Sequence, residues 1–125
     1  MNDDAALKSG QIVRLACQQS NLYGEVIQII LSRQMCWVRP LMLVKQAEAT
    51  PEYSDPESFS ILYDLRQGSD LILPLLLFQP ALDTEVIPWL MQLDSSNSKA
   101  TTPSLAHQQL QRFVHCVCQT YPNYF

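Results

Sequence analysis

The chain has 125 residues, of which 47% are hydrophobic and only 16% charged, with a formal net charge of −4. That length suits one compact domain. The apolar share excludes a wholly disordered chain, because there is enough apolar surface to offset the entropy of ordering. The acidic balance argues against a protein whose whole surface coats nucleic acid or an anionic membrane. So sparse a set of charges leaves few groups to solvate the exterior, and part of the apolar surface is expected to be covered by a partner.

The start, Met1 to Asp4, is acidic and lacks the basic-then-apolar order of a signal peptide; residues 1–8 read as a flexible acidic N-terminus. Gln11 to Cys17 alternates as a strand, with Val13, Leu15 and Cys17 on one side and Arg14 on the other. Gln18 to Gly24 is polar and reads as a turn region. Gly24 to Leu31 is rich in Val and Ile on both faces, as in a strand covered on both sides. Ser32 to Gln34 turn the chain into Met35 to Val38, making a hairpin. Pro40 interrupts the run, and Leu41 to Val44 resume it as a bent continuation or a separate strand. Gln46 to Glu57 carries four carboxylates and two prolines, as in an exposed acidic loop.

Ser58 to Leu65 alternates again, with Phe59, Ile61, Tyr63 and Leu65 expected on the buried side. Arg66 to Ser69 read as a turn leading to a partner strand over Asp70 to Leu73. The longest apolar stretch, Leu71 to Phe78, contains Pro74 and is far too short to cross a bilayer. Leu82, Val86, Trp89, Leu90 and Leu93 recur at helical spacing, with Asp83 or Thr84 as cap and Pro88 predicting an irregular start. After a polar linker over Asp94 to Thr102, Thr102 and Pro103 open a second helix. Its apolar stripe is Ala106, Leu110, Phe113, Val114, Val117 and Tyr121.

Strands first and helices last give an α+β, mostly β, chain. The rhythm of about five short strands over Ser9 to Leu73 resembles an SH3-like small barrel, of the kind shared by Sm-like, Tudor-like and KOW-type domains. The resemblance implies a five-stranded barrel; the expected organisation is a barrel unit over residues 9–80 with the acidic loop at 46–57, followed by two C-terminal helices over 81–125 packed on it. Four stretches, SNLYGEVIQI, CWVRPLML, LYDLRQGSDLILP and ALDTEVIPWL, resemble small cyanobacterial proteins without an assigned activity. None matches a catalytic motif, so the likeness implies a source and no chemistry.

Charge is divided unevenly. Residues 1–45 hold five basic and three acidic side chains, and residues 46–125 hold three basic and nine acidic ones. Arg14, Arg33, Arg39 and Lys45 fall among the aromatics Tyr23 and Trp37, a mixture that small barrels use on single-stranded nucleic acid. The competing reading is ordinary strand charges, with Arg39 paired to Asp64 or to the acidic loop. The four cysteines, Cys17, Cys36, Cys116 and Cys118, form no C-x-x-C pair and are expected reduced in a cytoplasm. A Cys17–Cys36 bridge is geometrically open, and most of the thiols are expected buried as small apolar groups. His115 and Cys118 could share an ion, but two ligands make no zinc site. Cys116 beside His115 is adjacency in sequence, and adjacent helical residues do not face each other. With no G-x-S-x-G, H-E-x-x-H or glycine-rich phosphate loop, no catalytic residue, metal or cofactor is expected.

The expected function is a non-catalytic protein-interaction module, an adaptor or assembly factor in a bacterial cytoplasm. Its partner-binding residues would be Arg14, Arg33, Trp37, Arg39, Trp89, Met91 and Phe125. The alternative is an RNA- or single-strand-binding protein using Arg33, Trp37 and Arg39. Neither reading involves membrane insertion, and a homodimer through the second strand or the helices stays open.

Overall fold

The computed structural model describes residues 7–46, 60–95 and 102–125. The first six residues, Phe59, the acidic loop beyond Gln46 and linker residues 96–101 lie outside the described residues. Strands β1 (Ile12–Cys17) and β2 (Ser20–Ile30) form a hairpin closed by Gln18 and Gln19, with Gln18 left-handed at φ 56°. A positive φ in a two-residue loop matches the twist of the strands it joins. The turn expected over Gln18–Gly24 is thus only its first two residues. The strand resumes at Ser20 because Leu22, Gly24 and Val26 lie on the side that Leu15 and Val13 already bury.

A 3-10 turn at Leu31–Arg33 leads into β3 (Met35–Gln46), antiparallel to β2 along its whole length. This strand runs through Pro40, so the bent continuation is what forms. Pro40 stands opposite Gly24 at a register shift, where a missing N–H costs the ladder least. Gly24 is a close approach and not a turn residue. A Cβ there would collide with Val38 Cγ1 and sit 3.0 Å from the Arg39 carbonyl oxygen. The shift also inverts the alternation of β3. Cys36 and Val38 share the first core cluster with Leu43, whereas Met42 and Val44 join a second cluster on the opposite face.

β4 (Ser60–Asp64) and β5 (Leu71–Pro74) do not form the expected hairpin with each other. Both pair antiparallel with β3, β4 along Met42–Gln46 and β5 along Met35–Val38. They therefore run in the same direction, as two halves of one edge strand interrupted by an excursion over Leu65–Asp70. Asp64 holds that excursion. Its Oδ1 accepts from the Arg66 backbone N–H at 3.0 Å and from Nε at 2.9 Å, and its Oδ2 accepts from Nη2 at 2.9 Å. This fork pulls the Asp64 carboxyl below its usual range. Tyr63 on β4 and Leu65 just after it reach the first cluster as expected. Ile61 shares their side but stands opposite Lys45 near the end of the ladder and is 52% exposed.

β6 (Gln79–Pro80) pairs with β1, giving the order β4-β3-β2-β1-β6, with β5 beside β3. Only Leu75–Phe78 connect β5 at one edge to β6 at the other, and Leu75–Leu77 of these are coiled in a 3-10 turn. Four strand spacings in a flat sheet are about 19 Å, more than such a link spans. The sheet must therefore curl around the first cluster, where Phe78 is buried. The curl does not close. Among the described residues the sheet has six strands, and β6 pairs with β1 alone. This corrects the expected five-stranded SH3-like barrel. α2 (Pro103–Thr120) packs against both β1 and β4, across the concave face, and keeps the edges apart.

Thr102 caps α2 as its sequence indicates, its Oγ1 accepting from the Leu105 N–H at 3.2 Å, with Pro103 at the first helical position. Ala106, Leu110, Phe113 and Val117 are buried in the first cluster, joined by Val114 and Tyr121. α1 (Asp83–Ser95) starts without a side-chain cap from Asp83 or Thr84; the Leu82 carbonyl accepts from Glu85 and Val86 instead. Leu82 itself is exposed. Pro88 lies inside the helix and removes the bond that would run to the Thr84 carbonyl. α1 lies on the opposite sheet face, where Val86, Trp89, Leu90 and Leu93 pack with Tyr23, Met42, Val44 and Leu62. The chain is α+β, an antiparallel six-stranded sheet with one helix on each face.

Gly24→Ala is expected to destabilise the fold by roughly 2–3 kcal/mol, an overpacking cost, measured by denaturant unfolding. Asp64 contributes stability that is complete above its ordinary value of 3.8 and is lost as pH falls through its lower folded value. Asp64→Asn should therefore lower stability at pH 7 and flatten the acid limb of a stability–pH curve below about pH 4.

Candidate functional site

α1 crosses its sheet face from β1, where Arg14 Nη1 donates to Glu85 Oε2 at 2.8 Å, to the excursion after β4, where Arg66 Nη1 donates to Asp94 Oδ1 at 3.1 Å. Beyond it, the same face continues over the β2–β3–β5 end of the sheet. There Ile30 pairs with Met35, and Trp37 lies between Gln28 and Ile72. None of these side chains belongs to the cluster that α1 covers. Ile72 is 53% exposed, and Ile30, Met35 and Trp37 are half-buried. Leu31 and Arg33, at the adjoining turn, are exposed.

Asp70 orders this strip. Its Oδ2 accepts from the Trp37 indole N–H at 2.9 Å, and its Oδ1 lies 3.5 Å from Arg39 Nε. Arg39 thus pairs with Asp70, not with Asp64, whose partner is Arg66. The indole is pinned at its polar edge, with Ile72 across the strand pair on one side and Gln28 on the other.

The structure gathers Arg33, Trp37 and Arg39 at this end of the sheet. Arg14 is committed elsewhere, since Nη1 and Nη2 donate to Glu85 and to Gln79 Oε1, both at 2.8 Å. Glu85 also accepts from the Tyr23 hydroxyl at 2.7 Å; burial and this carboxylate push the Tyr23 pKa upward. Together Arg14, Gln79, Tyr23 and Glu85 tie β1, β6 and β2 to the first turn of α1. Trp89 packs in the second cluster, while Met91 on the same helix is 65% exposed. Phe125, 57% exposed, follows the helix of the opposite face.

The Cys17–Cys36 bridge that the sequence left geometrically open does not form. Cys17 and Cys36 are both buried but not joined. Cys17 Sγ instead lies 2.7 Å from Cys116 Sγ on α2 and donates to Thr120 Oγ1 at 3.3 Å. Burial pushes the Cys36 thiol up to about 11; burial, and the Cys116 thiol beside it, also raise Cys17. Beside this pair a cavity of about 380 Å³ opens between the β1–β2 turn, the end of β3 and α2. Lys45 and Arg112 are on its wall, and Lys45 Nζ donates to the buried Gln109 Oε1 at 3.5 Å. No local pattern announces the thiol pair across 99 residues of separation. The available signal was the inward parity of Cys17 on β1 and the position of Cys116 beside Val117 on the buried stripe.

Among the described residues, no three His, Cys, Asp or Glu side chains converge as metal ligands. No described helix is long and apolar enough to cross a membrane. Comparison with protein-family models, curated proteins and solved structures found no match.

Proposed function

We propose that this protein is a non-catalytic interaction module, an adaptor or assembly factor of a cyanobacterial cytoplasm, that binds another protein through the uncovered end of its sheet. The observation that carries the reading is the Trp37–Ile72 cross-strand pair on a face that α1 covers only in part. An aromatic ring held by Asp70, flanked by Met35 and Ile72, has the properties of an interface anchor: large contact area with little orientational freedom left to lose. Arg33, exposed at the adjoining turn, favours a partner that presents a carboxylate near an apolar side chain. Arg14, engaged within the fold, is left out of this surface.

The same Trp37 and Arg39 suit a single nucleic-acid strand, with a base stacked on the indole and a phosphate on the guanidinium. The net charge of −4 opposes that reading, and so does the Asp70 carboxylate that occupies Arg39.

The two are separated by salt. Immobilised protein should retain a protein partner from cyanobacterial extract at high ionic strength, with single-stranded oligonucleotide failing to compete. Trp37→Ala should weaken that binding by about 2 kcal/mol, roughly thirtyfold, with the far-ultraviolet dichroism unchanged. Binding that collapses with salt and is competed by the oligonucleotide would replace the protein partner with a nucleic acid. Unchanged binding by Trp37→Ala would remove this surface from the account.

A further inference from the structure

The cavity between the β1–β2 turn and α2 holds a second chemistry, independent of the Trp37 surface. Its two sulfur atoms, on Cys17 and Cys116, are 2.7 Å apart, about 0.7 Å longer than a covalent disulfide. Cys17 and Cys116 both line the cavity, but Cys17 is only 1% exposed whereas Cys116 is half-buried, so a reagent in solution meets Cys116 first. Arg112 lies one helical turn before Cys116 on the same wall, and Lys45 faces it from β3. Ser20 and Gln109 add polar groups, and among the described residues no carboxylate lines the cavity. In a chain with net charge −4, this is a local cationic recess with thiols beside it. Cys36 has no thiol beside it that would resolve an adduct, and Cys118 is exposed on a different helical face.

We infer that Cys116 and Cys17 form a dithiol site oxidised by a small anionic disulfide that enters between Lys45 and Arg112. The Cys116 sulfur attacks one sulfur of the incoming disulfide, RSSR, forming the Cys116–SR bond and releasing one RSH, which takes up the Cys116 proton. The Cys17 sulfur then attacks Cys116 Sγ, the Cys116–SR bond breaks, and a second RSH leaves with the Cys17 proton. The dithiol loses two electrons and RSSR gains them; a dithiol reductant reverses the sequence. The product joins the first strand to the last helix and closes a loop of almost the whole described chain, which restricts the unfolded ensemble strongly.

The test treats the folded, reduced full-length protein with oxidised glutathione and, in parallel, with the uncharged hydroxyethyl disulfide, followed by intact mass and peptide mapping. The expected product lacks two hydrogens, links the Cys17 and Cys116 peptides, and retains two free thiols. Its thermal midpoint should rise by several degrees and fall back on reduction. Cys17→Ser, whose hydroxyl can keep the Thr120 contact, should stop at a single glutathionyl adduct on Cys116. Lys45→Ala with Arg112→Ala should slow oxidation by glutathione disulfide about tenfold through lost attraction and leave the uncharged reagent unaffected. A protein that stays reduced, links any other pair of cysteines, or shows no trapped adduct on Cys116 in Cys17→Ser overturns the dithiol site. Equal slowing of both reagents, or of neither, overturns the role of Lys45 and Arg112.

Discussion

Where β2 presses against β3 at Gly24, two backbones approach too closely for any side chain to stand between them. The register shift there lets Cys36 and Val38 face the same way as Leu43, although their numbers differ in parity. Without it, either Cys36 and Val38 or Leu43 would turn to the wrong side, and one of the two core clusters would lose its floor. The same point is where β3 changes partners on its free edge, from β5 below to β4 above. This shift on β3, with a second one on β2 between Val26 and Gln28, thus distributes apolar side chains between α2 on the concave face and α1 on the convex one.

Much of this arrangement is legible in the residues. The alternation of Val13, Leu15 and Cys17, the cap formed by Thr102 with Pro103, and the stripe from Ala106 to Val117 are local patterns, and local patterns survive folding. The signals that mislead are those whose meaning depends on distant partners. Gly24 looks like a turn residue because glycine usually marks turns; it is needed here for contact with a strand that begins eleven residues later. Gly68, with Arg66 and Asp64, looks like the loop of a hairpin, yet the chain continues in its original direction because β3 offers both segments the same edge. Strand rhythm alone suggests a barrel, but rhythm does not say whether the edges meet, and the helix that fills the concavity comes from the far end of the sequence.

The candidate sites follow a similar division. Trp37 with Arg33 and Arg39 could be singled out because an aromatic among cations is conspicuous in one short stretch. Their neighbour Ile72 and their organiser Asp70 come from another strand, and only the β3–β5 register brings them in. Arg14 looked equally available from sequence, but Glu85 and Gln79, more than sixty residues away, claim its guanidinium. For the thiol pair the sequence shows only that each cysteine lies at or beside a buried face; a helix and a strand must dock before the two sulfur atoms are neighbours.

The two-residue strand β6, paired only with β1, has a kinetic meaning. β1 gains its second hydrogen-bonded neighbour from residues near position 80 and its covering helix from still farther along. As the chain leaves the ribosome, the hairpin of β1 and β2 can form early, but its outer edge and its apolar side must wait for most of the remaining polypeptide. Contacts of such long range make assembly slow relative to a helical domain of equal size. A half-synthesised chain would offer an open strand edge and an uncovered apolar sheet face to its surroundings, the kind of surface that aggregates before folding is complete.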